Sequence, residues 1–241
     1  MIKIRKFAAI DIGSNAMRLL IANVVEEHGK PTQFNKSHLI RVPIRLGQDA
    51  FTVGEISEES AGRMVKAMKA FKLLMDVYQV EKYAACATSA MREAYNGIEL
   101  VEEIAAKTAI KIDIIEGKTE AAIIANSDLE SFIKNEGHYL YVDVGGGSTE
   151  FTLFSNGKQV VSKSFKNGTV RLLNNMVTEG VWQEIEKWIK KHTEHIPNLE
   201  IIGSGGNINK IFKMSGKTND KPLTLAYLTQ RFKYLSGLSY E

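Results

Sequence analysis

The sequence predicts an α/β protein built from two similar lobes. Three observations lead there. Strand-like and helix-like patterns alternate along 241 residues. A short strand-ending motif occurs twice, with Asp11 and Asp143 standing 132 residues apart, about one lobe. Each copy is followed at once by a second apolar run, as a hairpin would be.

The elements follow in order. Lys6–Ile12 is an apolar strand, Gly13-Ser14-Asn15 is turn chemistry, and Met17–Val25 resumes the apolar run. After the turn at Gly29-Lys30-Pro31, residues 34–46 supply further strand. Ser57 suits a helix N-cap, with Glu58 and Glu59 in the first turn. Met64, Met68, Phe71, Leu74 and Tyr78 then recur at helical spacing and belong to the core. Tyr83–Ala87 and Ile112–Ile115 read as strands, Ile98–Ala106 and Thr119–Phe132 as helices. Then the opening pattern returns: Tyr139–Val142, Asp143, a glycine turn, and strand-like Glu150–Phe154. Asn156-Gly157 marks a tight hairpin into Val160–Phe165. Val181, Ile185, Trp188 and Ile189 mark a helix, Leu199–Ile202 a strand, and residues 223–235 a last helix. The lobes divide as residues 1–124 and 125–241, with the boundary in or beside the Thr119–Phe132 helix.

Composition narrows the class. Apolar content of 44% and a net charge of +3 exclude a disordered chain, and no apolar run approaches the ~20 residues of a membrane span. Cys86 is the single cysteine, so no intrachain disulfide forms, which suits a reducing, cytoplasmic setting. The basic start (Lys3, Arg5, Lys6) precedes an apolar run that Asp11 interrupts, so it reads as a strand and not a leader. Lys and Arg are dispersed, so neither a nucleic-acid partner nor a membrane surface is expected.

The chemistry lies in the glycine turns. Gly13-Ser14-Asn15 and Gly145-Gly146-Gly147-Ser148 each follow a carboxylate at a strand end. Glycine lets backbone N–H groups converge on one point, and serine or asparagine adds donors, which makes a cradle for phosphate oxygens. An aspartate beside such a loop (Asp11, Asp143) suits Mg²⁺, or Mn²⁺, held largely through water and phosphate. A third turn, Gly205-Gly206 within Gly203–Gly206, opens a helix and offers free N–H groups to an anion.

Four segments give the chain a resemblance. They are Ala8–Asn15 with Arg18-Leu19, Ala87–Ala94, Ile115–Ala121 and Val142–Glu150. Together with the glycine turns they resemble the acetate kinase, sugar kinase and actin superfamily, whose fold is a pair of ribonuclease H-like lobes. The nearer resemblance is to the exopolyphosphatase/guanosine pentaphosphatase (Ppx/GppA) phosphatase family, over nearly the whole chain. It implies hydrolysis of the terminal phosphoanhydride of polyphosphate or guanosine pentaphosphate. It implies Glu120 as the general base that activates water, Arg92 as a phosphate-binding arginine, and Asp143 and Glu150 as metal-linked carboxylates. A homodimer is a further implication. The chain departs from the family at Asn207, where threonine is usual, and at Glu116 and Thr119. It also reaches Glu241 without the closing segment that family members pack on the first lobe, so a shortened second lobe or a cut chain is expected. Two other readings stand beside this one: a small ATP-dependent kinase such as a type III pantothenate kinase, and a non-catalytic, actin-like nucleotide scaffold. Residues 88–94 and 117–121 favour the phosphatase over the kinase, and Glu120 speaks against the scaffold.

Overall fold

A computed structural model describes residues 2–125, 136–218 and 221–239. The first lobe is a five-stranded sheet of β1 (Ile2–Ile12), β2 (Met17–Glu27), β3 (Gln33–Val42), β4 (Lys82–Ala87) and β5 (Asp113–Ile114). The strand order is β3-β2-β1-β4-β5; β1 to β3 form an antiparallel meander, and β4 and β5 run parallel to β1. Helices α1 (Leu46–Thr52), α2 (Glu58–Val77), α3 (Ser89–Glu93) and α4 (Gly97–Thr108) complete it.

Alternation decides which face is covered. Ala8, Ile10 and Ile12 of β1 are buried, with Leu19 and Ile21 of β2, against Met64, Met68 and Phe71 of α2 and Ile104 of α4. The residues between them, Ala9 and Asp11, therefore look the other way. Ser57 caps α2 as expected, its side chain accepting from the Ser60 N–H at 3.3 Å.

The second lobe begins with α5 (Gly117–Ala125) and continues with β6 (His138–Val144), β7 (Thr149–Ser155), β8 (Lys158–Phe165) and β9 (Leu199–Gly205). These strands lie in the order β8-β7-β6-β9. Helices α6 (Thr169–Leu173), α7 (Glu179–Thr193), α8 (Gly206–Met214) and α9 (Leu225–Ser236) belong to it. Its core gathers Leu140, Phe151 and Phe165 from the sheet with Ile185 and Trp188 from α7. The β7–β8 turn has Asn156 and Gly157 at φ 51° and 73°, the left-handed pair that a two-residue hairpin needs.

The two sheets share a plan. In each, an antiparallel three-stranded meander is extended by a strand parallel to the first. The first hairpin closes at Ile12–Met17 in one lobe and Val144–Thr149 in the other. Both turns close with the same bond, from the Gly13 N–H to the Ala16 carbonyl (3.1 Å) and from the Gly145 N–H to the Ser148 carbonyl (3.0 Å). The fold is thus α/β with duplicated lobes. Three short helices, α1, α3 and α6, were not expected from the sequence, and β3 ends at Val42 where strand was expected to run to Leu46. Helices of five to seven residues are too short for a 3.6-residue period to show. The expected division at residues 124 and 125 falls at the end of α5, and the rest of the Thr119–Phe132 helix lies outside the described residues. Among the described residues no helix is long and apolar enough to cross a membrane.

Candidate active site

Strand register places the carboxylates. Asp11 pairs with Arg18 on β2 and Cys86 on β4. At the equivalent point of the second lobe, Asp143 pairs with Glu150 on β7 and Ser204 on β9. Residues directly opposite one another share a sheet face, so each row points its side chains one way. The lobes differ in what accompanies the aspartate. Arg18 binds Asp11 through Nη1 to Oδ2 at 2.9 Å, whereas Glu150 adds a second negative charge beside Asp143. Burial raises the pKa of Asp11, opposed by Arg18. Burial also raises that of Asp143, opposed first by a hydrogen bond from Ser204 and then by Arg18, while Asp11 pushes it up. Asp11, Arg18 and Asp143, from both lobes, therefore share one electrostatic neighbourhood.

The two glycine turns meet between these rows. A Cβ placed on Gly146 would lie 3.0 Å from Cβ of Ser14 and 3.6 Å from the Asn15 nitrogen. Ser14 Oγ is in turn 2.9 Å from Ser89 Oγ at the start of α3. Each turn is tied from behind by its carbonyls. Ser14 and Asn15 accept from the N–H groups of Gly47 (2.7 Å) and Arg45 (2.9 Å), where α1 begins. Gly145 and Gly146 accept from Thr169 (3.0 Å) and Val170 (2.8 Å), where α6 begins. In a trans peptide the N–H opposes the C=O, so these ties turn the amides of Asn15, Ala16, Gly146 and Gly147 away from the supporting segments. None of the four is bonded to an acceptor among the described residues. Gly13 and Gly145 spend their own N–H groups closing the turns, on the carbonyls of Ala16 and Ser148, so the amides left open to an anion are those that follow them.

The tightness of this packing gives a test. Gly168 lies against the Gly146 carbonyl and the Gly147 nitrogen, with no room for a methyl group. Gly168→Ala should displace the second turn, costing about 1–3 kcal/mol of stability. Thermal denaturation should register the loss.

Gly205 and Gly206 lie at the end of β9, where Gly205 pairs with Val144 beside the second turn. Gly205 has φ +115°, and a Cβ there would sit 2.5 Å from the Val144 carbonyl, so only glycine fits. Gly206 starts α8, and Asn207 is exposed.

Glu120 and Arg92 come from helices outside the two turns. Helix α5 lies across β7 and β8. Its Gly117 approaches so closely that a Cβ would be 3.0 Å from Cβ of Ser164. This carries Glu120 over the Asp143–Glu150 row. Burial pushes the Glu120 carboxyl up to about 8, with Glu150 adding to the rise, Arg92 opposing it, and Asp11 and Asp143 contributing less. Its Oε2 is buried without a hydrogen-bond partner. Arg92 donates from Nη1 to the Ile115 carbonyl at 2.6 Å, which ties α3 to the segment leading into α5. Glu150 is almost fully buried and its Oε1 accepts from Ser148 Oγ (2.6 Å) and Ser164 Oγ (2.8 Å). These hydroxyls oppose the rise that burial causes in its pKa.

All of the residues picked out by sequence thus lie at or beside one junction. Sequence reasoning missed the support: Ser89, Ser164, Ser204 and the role of Arg18. Arg18 had a visible signal, since it follows Asp11 at the offset by which Glu150 follows Asp143. Ser164 had none, because its place depends on the β7–β8 register.

The donor set bears on a metal. Among the described residues no three His, Cys, Asp or Glu side chains converge tightly enough to cage an ion. Asp11 is engaged by Arg18, and Glu150 by two serines. Four carboxylates nonetheless lie near two arginines, and burial is the first cause of the raised pKa of each. An oxygen-only, anionic site fits a hard cation held by one or two carboxylates plus water and phosphate, and not an all-protein cage.

A family model described as the Ppx/GppA phosphatase family matches residues 20–206. The "Bifunctional 3-dehydroquinate synthase/phosphatase" of Fusobacterium nucleatum is 32% identical over 216 residues, covering 83% of this chain and 32% of that protein. "Exopolyphosphatase 2" of Mycobacterium tuberculosis is 30% identical over 172 residues, covering 69% of this chain and 53% of that protein. The crystal structure of the Aquifex aeolicus Ppx/GppA family member superimposes with a TM-score of 0.75 at 25% identity, covering 98% of this chain and 80% of that one. The chain spans about a third to a half of the length of these two curated relatives. With a family match across residues 20–206, most of its length, the chain belongs to the Ppx/GppA phosphatase family.

Proposed function

We propose that the chain hydrolyses the terminal phosphoanhydride of an anionic phosphate substrate, inorganic polyphosphate or guanosine pentaphosphate. The observation that carries this reading is Glu120: a buried carboxylate oxygen without a partner, and a pKa pushed up to about 8, in part by Asp11 and Asp143, the aspartates that precede the two glycine turns. A general base works best with a pKa near the working pH, and this one is tuned there by burial and by Glu150. Glu120 accepts a proton from the attacking water while the turns hold the terminal phosphoryl group by their amides. Arg92 offsets charge on that group. Phosphoryl transfer asks mainly for such positioning and charge balance.

Charge balance also motivates the cation. A polyanion entering a site with four carboxylates and two arginines meets net repulsion. Mg²⁺ or Mn²⁺ near Asp143, with Glu150 and Asp11 in its surroundings, would supply neutralisation of the phosphate oxygens when bound. The test is phosphate release without any acceptor alcohol, from polyphosphates of several lengths, guanosine pentaphosphate and ATP. Release with Mg²⁺ from one of the first two, lost in excess chelator, is the expected result. Turnover that needs an acceptor alcohol would make the chain a kinase, and full activity in chelator would remove the metal.

A further inference from the structure

The second glycine turn is held by three consecutive residues, and the third hold is of a different kind. Thr169 and Val170 use backbone N–H groups on the carbonyls of Gly145 and Gly146. Arg171 uses its side chain: Nε donates to the Gly147 carbonyl at 2.7 Å. The same guanidinium donates through Nη2 to Glu93 Oε2 at 2.5 Å and lies over the Phe51 ring at 3.9 Å. Glu93 and Phe51 belong to the first lobe, on α3 and α1, and Glu93 directly follows Arg92. Arg171 is only 7% exposed. Lys166 adds an outer ion pair to Glu93 at 3.2 Å. The first turn has no counterpart: among the described residues its Ser14 and Asn15 carbonyls are held by backbone N–H groups of its own lobe.

We propose that Arg171 is a positioning residue that aims the Ser148 amide into the phosphate cradle and fixes the second turn against the Arg92 helix. Ser148 N–H shares a peptide unit with the Gly147 carbonyl. Holding that carbonyl from behind turns the amide forward, as the other two ties do for Gly146 and Gly147. The Glu93 bond carries the same restraint across the lobe junction, so cradle and Arg92 keep one spacing. Such preorganised donors set both affinity and rate for a phosphoryl group. Only arginine can make the contact, because a planar fork serves a carbonyl, a carboxylate and an aromatic face at once, and a lysine ammonium cannot.

The inference rests on the reading of the second turn as a phosphate cradle, and its test has an arm independent of turnover. Arg171→Lys should lower kcat/KM for phosphate release by about 10–100-fold. It should also weaken binding of inorganic phosphate, measured by calorimetry. Glu93→Gln should move both in the same direction by less, and the double variant should be no worse than Arg171→Lys alone, since one contact is broken twice. A lower melting temperature with kcat, KM and phosphate affinity unchanged well below melting would make Arg171 merely structural and overturn the proposal. Should Arg171→Lys fail to fold, Glu93→Gln and Phe51→Leu decide on the same readouts. If the wild-type protein binds phosphate but hydrolyses none of the substrates, the phosphatase reading falls, while weaker phosphate binding by Arg171→Lys still supports this one. Wild-type protein that neither binds nor releases phosphate overturns both.

Discussion

Glu120→Gln should cut turnover by about 10²–10⁴-fold, the usual contribution of a positioned acid–base group. The amide keeps the shape and most of the hydrogen bonding but has no proton acceptor for the water. Substrate affinity should hold near neutral pH, where Glu120 is largely protonated, and improve slightly above about pH 8, where the variant lacks a charge that repels the polyanion. The same change should stabilise the metal-free protein in a pH-dependent way. The folded pKa of Glu120 is about 8 against an ordinary 4.5, so the folded state retains a proton that the unfolded chain gives up. That contribution to stability is complete below about pH 4.5 and is lost as pH rises through 8. Gln carries no such proton. The melting temperature of Glu120→Gln relative to wild type should therefore climb between these limits and level off above them. Thermal scans at pH 5, 7 and 9 in chelator check this. A variant with near-wild-type turnover would leave the chain with a different base; a melting difference that does not change with pH would mean that Glu120 ionises freely in the folded state.

Asp143→Asn should have the second-largest effect. Asparagine retains the hydrogen bond with Ser204 but withdraws the charge that, with Glu150, attracts a cation. Turnover at ordinary Mg²⁺ should fall by at least about 10²-fold, and half-maximal activity should need at least about tenfold more Mg²⁺. There is a second signature. Asp143 is one of the groups that raises the Glu120 pKa, so its removal should lower that pKa in the metal-free protein. The pH range over which Glu120→Gln gains stability should narrow accordingly in the Asp143→Asn background. An Mg²⁺ titration and rate matching wild type would place the cation elsewhere or remove it.

The sequence carried a good part of this. The repeat around Asp11 and Asp143 foretold the duplicated hairpins, because a strand end, a glycine turn and a second strand are local events with local signals. Asn156-Gly157 announced its own turn for the same reason, and the methionines of α2 announced a buried helical face. The short helices α1, α3 and α6 were invisible, although they matter to the site. Two of them begin with the groups that hold the glycine turns, and the third carries Arg92. Five to seven residues cannot display a period, and their positions are set by the turns they support.

What the chain determined by itself was each strand, each turn and the side chains at their ends, since these depend on residues within a few positions of one another. Only the tertiary structure decided which of them meet. Glu120 faces Glu150, and Arg92 reaches the Ile115 carbonyl. Ser164 joins Ser148 on one carboxylate oxygen, and Arg171 spans both lobes. Apart from the local bond of Ser148 to Glu150, each of these contacts joins separate elements of the chain and arises from strand register or from the docking of elements on one another. Both are settled by burial of whole faces, and burial of a face leaves no mark at any single residue.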